Sequence, residues 1–373
     1  MEASFDSATA SLLADEFSTG SRESTGRTYL NTASHGLLPS RTADAVRESV
    51  TDMAAGRIDM PRYFAVADEA RASFARLAGT TPDRVALGSA VSTHVGLIAA
   101  SLPVGAEVLV ADGDFSSVVN PFTVRDDLKL RTAPLERLAE AVDATTALVA
   151  VSAVQSADGR VADLGAIREA ARAAGARTLV DSTQAVGWFP LRADDHDYVV
   201  SAAYKWLLCP RGTSFLVVSE EAQDARVLLP QHAGWVAGER PWENAYGPVA
   251  RYAPDARRYD ESPAFLPYLG AARSLALVER VGRDAIGAHD RALARRFRAG
   301  VAGLGARAGA GYEAVPGDSA IAAVPGLGGA AGLLAEAGVV ASARDGNLRV
   351  AFHLYNTEAD VDRLLNVLAD GRS

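Results

Sequence analysis

The chain has 373 residues, 49% of them hydrophobic, with a formal net charge of −9, which is enough apolar material for one large and one smaller domain around a packed core. The acidic balance excludes a protein whose main partner is the nucleic-acid backbone, because that binding depends on lysines and arginines neutralising phosphates and no basic tract offsets the deficit. The single cysteine, Cys209, cannot form an internal disulfide, no apolar segment is long enough for a bilayer, and residues 1–25 lack a basic start followed by an apolar stretch, so the expected location is the cytoplasm.

Between Arg84 and Ser219 short β-rich runs alternate with helix-like stretches: Arg84-Val-Ala-Leu, Glu107-Val-Leu-Val-Ala, Ala147-Leu-Val-Ala-Val-Ser, Thr178-Leu-Val-Asp, Tyr198-Val-Val-Ser and Ser214-Phe-Leu-Val-Val-Ser. Several are nearly continuous in Val, Leu and Ala, the pattern of strands covered on both faces in a mostly parallel sheet. Between the third and fourth runs, residues 163–175 read as an Ala-rich crossover helix closed by Gly175, completing a βαβ unit.

After Ser219 the regularity breaks. Residues 229–262 are rich in Pro, Gly, Trp and Tyr and read as irregular segments lining a cleft. Helical patterns resume over 265–281 and 284–304, and short strands and helices follow to the end, predicting a smaller α+β unit. Residues 302–334 are heavy in Ala and Gly but are broken by Tyr312, Glu313 and Val-Pro pairs, so turns and small-residue packing are expected there. The predicted division is an N-terminal segment 1–27 packing on the small domain, a large domain 28–262, and a linking helix with the C-terminal small domain 263–373.

Three features carry chemistry. Asp181 closes the run Thr-Leu-Val-Asp, so a buried strand delivers a carboxylate to the carboxyl edge of the sheet, where open α/β folds bind ligands; taken alone it reads as a cap of the next turn. Lys205 stands just past the end of Tyr198-Val-Val-Ser among apolar neighbours, where desolvation lowers an amine's pKa and makes it a nucleophile; taken alone it reads as a snorkelling surface lysine. Gly88-Ser-Ala-Val-Ser-Thr-His follows the first strand and opens a helical run, a place where hydroxyls and backbone N–H groups hold a phosphate. An amine, a carboxylate for a pyridine nitrogen and donors for a phosphate are what pyridoxal 5'-phosphate requires.

The order of these segments, Gly88-Ser-Ala-Val-Ser-Thr, then Asp181-Ser-Thr-Gln, then Ser201-Ala-Ala-Tyr-Lys, resembles the class V aminotransferase family, which includes cysteine desulfurases, kynureninase and isopenicillin N epimerase. The opening Tyr29-Leu-Asn-Thr-Ala-Ser-His-Gly and the closing Leu348-Arg-Val-Ala-Phe-His-Leu-Tyr resemble the family's ends. The resemblance implies an α/β fold of the fold type I PLP-dependent transferase kind: a large domain with a mostly parallel seven-stranded sheet flanked by helices, and a smaller C-terminal α+β domain. It implies a Schiff base on Lys205, Asp181 at the pyridine nitrogen, Gln184 at the phenolic oxygen, and Ser201 and Tyr204 at the phosphate, although many relatives carry histidine where Tyr204 stands. Ser92 and Thr93 would form the phosphate turn, Phe115 would stack on the ring, and Gln155 or Ser156 would touch its oxygen side. Arg349 would clamp a substrate α-carboxylate with its planar fork, and His35 and His232 are pocket candidates. Ser262, in Tyr259-Asp-Glu-Ser-Pro, lies where relatives cross to the neighbouring subunit's phosphate, which implies a homodimer, though Glu261-Ser262 departs from the family's Gly-Thr pair.

The shared chemistry is imine exchange and the breaking of one bond at Cα, with Lys205 carrying the proton. Persulfide-forming desulfuration is not expected, because the only cysteine lies four residues after the lysine instead of standing on a distant loop; Cys209 reads as a packing residue. The leading expectation is side-chain β-elimination of the C–S lyase type on an α-amino acid. Transamination, epimerisation and decarboxylation-coupled oxidative deamination remain open, as does a non-catalytic sensor that only binds the cofactor. The aromatic and basic stretch from Gln231 through Trp235, Trp242 and Tyr246 to Arg251 suggests an amino-acid conjugate larger than a free amino acid. No metal, nucleic acid or membrane enters this expectation.

Overall fold

The computed structural model describes residues 5–308 and 312–370. Its centre is a seven-stranded sheet built from β2 (Val85–Gly88), β3 (Glu107–Ala111), β4 (Lys129–Ala133), β5 (Thr146–Ser152), β6 (Arg177–Asp181), β7 (Tyr198–Ala202) and β8 (Ser214–Val218), ordered β2-β8-β7-β6-β5-β3-β4. Only β8 runs against its neighbours. The other six share one direction, so Gly88, Ala111, Ser152, Asp181 and Ala202 all end on one edge.

The apolar runs become strands because both faces are covered. Val85, Leu87, Val199, Phe215 and Val217 pack with Phe74, Tyr268 and Leu275 of the helices Met60–Ala78 and Phe265–Val281, while Ala86, Val200, Leu216 and Val218 pack with Val95, Ile98, Val118 and Phe122 on the other side. Phe74 stacks on Phe215 with centroids 4.1 Å apart. The expected crossover helix spans Leu164–Ala174; the Asp163 side chain accepts from the Ala166 N–H at 3.0 Å, and Gly175 ends the helix in the left-handed conformation. The strand that the sequence pattern conceals is β4, a partly exposed edge strand whose Lys129-Leu-Arg-Thr-Ala has no apolar run.

A second, antiparallel sheet follows in the order β11-β12-β9, from β9 (Ile321–Val324), β11 (Ser342–Arg344) and β12 (Asn347–Ala351). It packs through Leu348 and Val350 on the helices Arg283–Ala308 and Glu358–Asp370. Asp345 and Gly346 join β11 to β12, both with positive φ, as a tight two-residue hairpin demands. β1 (Thr28–Tyr29) pairs with β10 (Val339–Val340), and the preceding segment lays Phe5 on His289 and Phe17 on Tyr355 while Glu16 pairs with Arg41. Residues 225–264 carry 3-10 turns, as their Pro and Gly content predicts. Among the described residues no helix is long and apolar enough to cross a membrane.

Candidate active site

A cavity of about 240 Å³ opens at the carboxyl edge of the large sheet. The strand ends supply its floor: Ser89 and Ala90 after β2, Ser152 on β5, Asp181 on β6, and Ala202, Tyr204 and Lys205 from β7 onward. Phe115 and Ser117 come from the loop and helix after β3, and Arg211 and Gly212 from the approach to β8.

Lys205 is 5% exposed. Burial brings its amine down to about 8, Asp181 opposes that shift, and Arg349, Arg211 and Arg344 reinforce it. Its Nζ lies 5.3 Å from the centroid of Phe115 and 5.9 Å from that of Tyr204. The loop is pinned from below, since Gly36 donates its N–H to the Tyr204 carbonyl and a Cβ at Gly36 would collide with the Lys205 carbonyl oxygen. Burial likewise pushes the Asp181 carboxyl up to about 6, against the hydrogen bond it accepts from the Thr183 N–H at 2.8 Å and the charge of Lys205.

The helix Val91–Ser101 begins at the cavity with no side-chain cap from Ala90, so its first-turn N–H groups are available to an anion, with Ser89 and Ser92 beside them. Arg211 lies 4.1 Å over the Tyr204 ring. Asp114 ties the Phe115 loop to β5 by accepting from the Ser152 N–H at 2.8 Å, the Ser152 hydroxyl and the Gln155 amide.

Lys205, Asp181, Gln184, Tyr204, Phe115 and Ser92 therefore come together around one cavity, and Ser156 joins them. Gln184 is already committed: its amide nitrogen donates to the Ala33 carbonyl and the Ser156 hydroxyl, both at 2.9 Å, and its oxygen accepts from the Trp206 indole at 2.7 Å. A ligand oxygen would receive a Gln184 hydrogen only if one of those acceptors gave way.

Other expected residues stand apart. Ser201 is buried within β7, and it is Ala202 that forms the wall, because a strand turns successive side chains to opposite faces. Thr93 lies further along the helix, outside the lining. Ser262 is exposed and also outside the lining, while its neighbour Glu261 accepts from the Ser89 hydroxyl at 2.7 Å within the same chain. His35 tilts against Tyr204 at 5.6 Å behind the wall, and His232 is exposed on the irregular segment. No residue of 229–262 lines the cavity; Trp235 and Trp242 instead pack on each other and on Phe64. Cys209 is fully buried, which pushes its thiol far up and leaves it unreactive.

Arg349 is 1% exposed on β12 and stands behind Ser156. Its guanidinium donates to the Ser156 carbonyl and hydroxyl, to Ser34 Oγ at 2.7 Å and to Ser342 Oγ at 3.2 Å, with no carboxylate in ion-pair range among the described residues. Burial, with Arg344 nearby, brings it down to about 10. Sequence reasoning missed Asp114, Arg211, Ser34 and Arg344. Of these only Arg211, a lone charge soon after an apolar lysine loop, left a signal.

A model of the family described as Aminotransferase class-V matches residues 66–328. The isopenicillin N epimerase of Streptomyces clavuligerus is 30% identical over 91% of this chain and 93% of its own length. The uncharacterized aminotransferase YcbU of Bacillus subtilis is 27% identical over 80% of this chain and 82% of its own. Among solved structures, the cystine C-S lyase C-DES in complex with its reaction product cysteine persulfide superposes with a TM-score of 0.81 at 20% identity, covering 92% of this chain and 97% of that one.

Proposed function

We propose, given that the chain belongs to the class-V aminotransferase family and is therefore a pyridoxal-phosphate-dependent enzyme, that it transfers the amino group of an α-amino acid, with Lys205 as its one acid–base group. The donor set fits the cofactor: a buried amine brought to about 8, a buried carboxylate lining the same cavity from the neighbouring strand end, and an uncapped helix start flanked by Ser89, Ser92 and Arg211. When bound, pyridoxal phosphate supplies an aldehyde that condenses with amines and a ring that takes up the electron pair released at Cα.

In this reading Lys205 anchors the cofactor and afterwards moves the Cα proton. Asp181 holds the proton of the ring nitrogen, with Thr183 fixing the carboxylate. The N–H groups at Val91 and Ser92, with Arg211, receive the phosphate, Phe115 covers the ring, and Arg349 takes the substrate carboxylate across Ser156. The observation that carries the assignment is the buried lysine. Amino transfer needs one base that lifts a proton from Cα and returns it to a neighbouring atom, and among the described residues Lys205 is the only amine lining the cavity.

Epimerisation needs a second proton carrier across the cavity, and apart from Lys205 the lining offers for that only Asp181, which this reading commits to the ring nitrogen, and the Tyr204 phenol, whose ring is covered by Arg211. Side-chain elimination, the leading expectation from sequence, uses the same lysine but also needs an acid for the departing group. We further take residues 28–262 and 263–373 as the large and small domains and the chain as a cytoplasmic homodimer, with exposed Trp242 and Tyr246 as surface available to a second copy.

Two measurements test this. Borohydride treatment of the holoenzyme followed by peptide mass spectrometry should mark Lys205, and Lys205→Ala should abolish both the mark and the visible absorption band. Incubation with amino acids and an acceptor keto acid should then yield keto acids that retain the whole side chain. Pyruvate with a released side chain would replace transfer by elimination, and the mirror-image amino acid would replace it by epimerisation.

A further inference from the structure

Ser34 receives two guanidinium groups. Arg349 donates to its Oγ at 2.7 Å from within the small sheet, and Arg344 donates to the same oxygen at 3.1 Å from the end of β11. The two donor nitrogens cannot lie farther apart than these hydrogen bonds laid end to end. Neither has a carboxylate partner among the described residues: beyond Ser34, Arg344 reaches only the carbonyl of Ala343, and Arg349 only serine oxygens.

Two like charges held over one hydroxyl repel each other unless an anion joins them. Arg344 stays there because the Asp345-Gly346 hairpin fixes the end of β11. Arg349 also donates to Ser156, which lines the cavity, so Arg349 and, through Ser34, its neighbour Arg344 adjoin the cavity wall.

The charge balance of the proposed site leaves one of them over. The phosphate has the helix start and Arg211, the ring nitrogen has Asp181, and one substrate carboxylate has Arg349. We infer that Arg344 together with Ser34 forms a second anion subsite beside Arg349, and that the substrate is an amino acid carrying a second carboxylate. This inference rests on the proposed amino-acid reading of the site.

The test uses holoenzyme at low, fixed ionic strength, since Arg344 is exposed and its attraction is screened by salt. Binding of glutarate and of butyrate, unreactive mimics with two and one carboxylates, is measured by calorimetry. Glutarate should bind about tenfold or more tightly than butyrate. Arg344→Gln should bring glutarate down to the level of butyrate, Arg344→Lys should keep part of the advantage, and Arg349→Gln should weaken both ligands. Arg344→Glu should reverse the order, so that 4-(trimethylammonio)butyrate, whose distal cation cannot condense with the cofactor's aldehyde, outcompetes glutarate.

Equal affinities in the unaltered enzyme, absence of binding by both acids, or an advantage that survives Arg344→Gln would overturn the inference. Borohydride marking of Lys205 is read in the same preparations. A marked lysine with no glutarate preference sinks the second subsite alone, whereas an unmarked lysine sinks the functional reading beneath it.

Discussion

Burial, more than any partner, sets the proton affinities of the two central groups. Asp181 has a folded pKa of about 6 against an ordinary 3.8, so the folded chain holds that proton more tightly than the unfolded chain does. Its contribution to stability is thus complete below about pH 4 and is lost as pH rises through about 6, a change of up to about 3 kcal/mol. Lys205 behaves in the opposite sense: with its pKa lowered from 10.5 to about 8, its contribution is present above about pH 10.5 and is lost as pH falls through 8. Urea unfolding of cofactor-free Asp181→Asn and parent protein should therefore diverge between pH 4 and 6, with the variant the more stable at pH 7. The gain should fall short of the full figure because Lys205 loses its partner. The variant should also lose catalytic activity, and parallel pH curves would refute the assignment. Both residues were legible in the sequence because a charge at the end of an apolar run is conspicuous. Ser34 and Asp114 were not, since polar loop residues look alike until the fold brings them together, and Ser156 was named only as an alternative to Gln155. Ser201 and Ala202 differ by a single step of strand alternation, which a motif match does not resolve.

Strands and helices are aimed at the cavity by braces remote from it. Arg71 on the helix Met60–Ala78 meets Asp260 through two nitrogens at 3.1 and 2.7 Å, and Asp260 also accepts the Leu87 N–H at 2.8 Å, so this buried pair fixes the end of β2 from which Ser89 and the anion-binding helix start. Removing one partner strands a charge in the interior. Asp260→Ala should cost about 3–5 kcal/mol in urea unfolding and weaken cofactor retention. The exposed pair Arg57–Asp52 offers the contrast, where Asp52→Ala should cost about 1 kcal/mol or less. Comparable losses at the two sites would show that the brace has no special role. Six of the seven strands in the large sheet were readable because burial on both faces enforces an apolar run. The edge strand β4 was not, because an edge open to water accepts Lys129 and Arg131 as readily as valine.

At the scale of the molecule, the C-terminal layer holds the lysine loop through one buried histidine. His353, after β12, places Nε2 3.0 Å from the Trp206 carbonyl and Nδ1 2.9 Å from Asp290 on the helix Arg283–Ala308, and neither side chain is exposed. A carbonyl accepts only, so Nε2 carries a hydrogen, and the pair shares a further proton between Nδ1 and the carboxylate. Trp206 in turn donates to Gln184, which reaches Ser156 and through it Arg349, so the proposed cofactor and substrate groups hang on one network. Sequence showed the resemblance of Val350-Ala-Phe-His to the family's end but not this contact, because its members come from three distant segments. His353→Leu leaves Asp290 buried without its partner and frees the Trp206 carbonyl, so unfolding stability should fall by about 3–5 kcal/mol. The double variant His353→Leu, Asp290→Leu removes the stranded charge and should recover much of that stability. It should not recover the holoenzyme's activity or the pH profile of its visible absorption, because the Trp206 carbonyl remains unheld. Recovery of activity and pH profile together with stability would mean that the pair only packs the core and leaves Lys205 untouched.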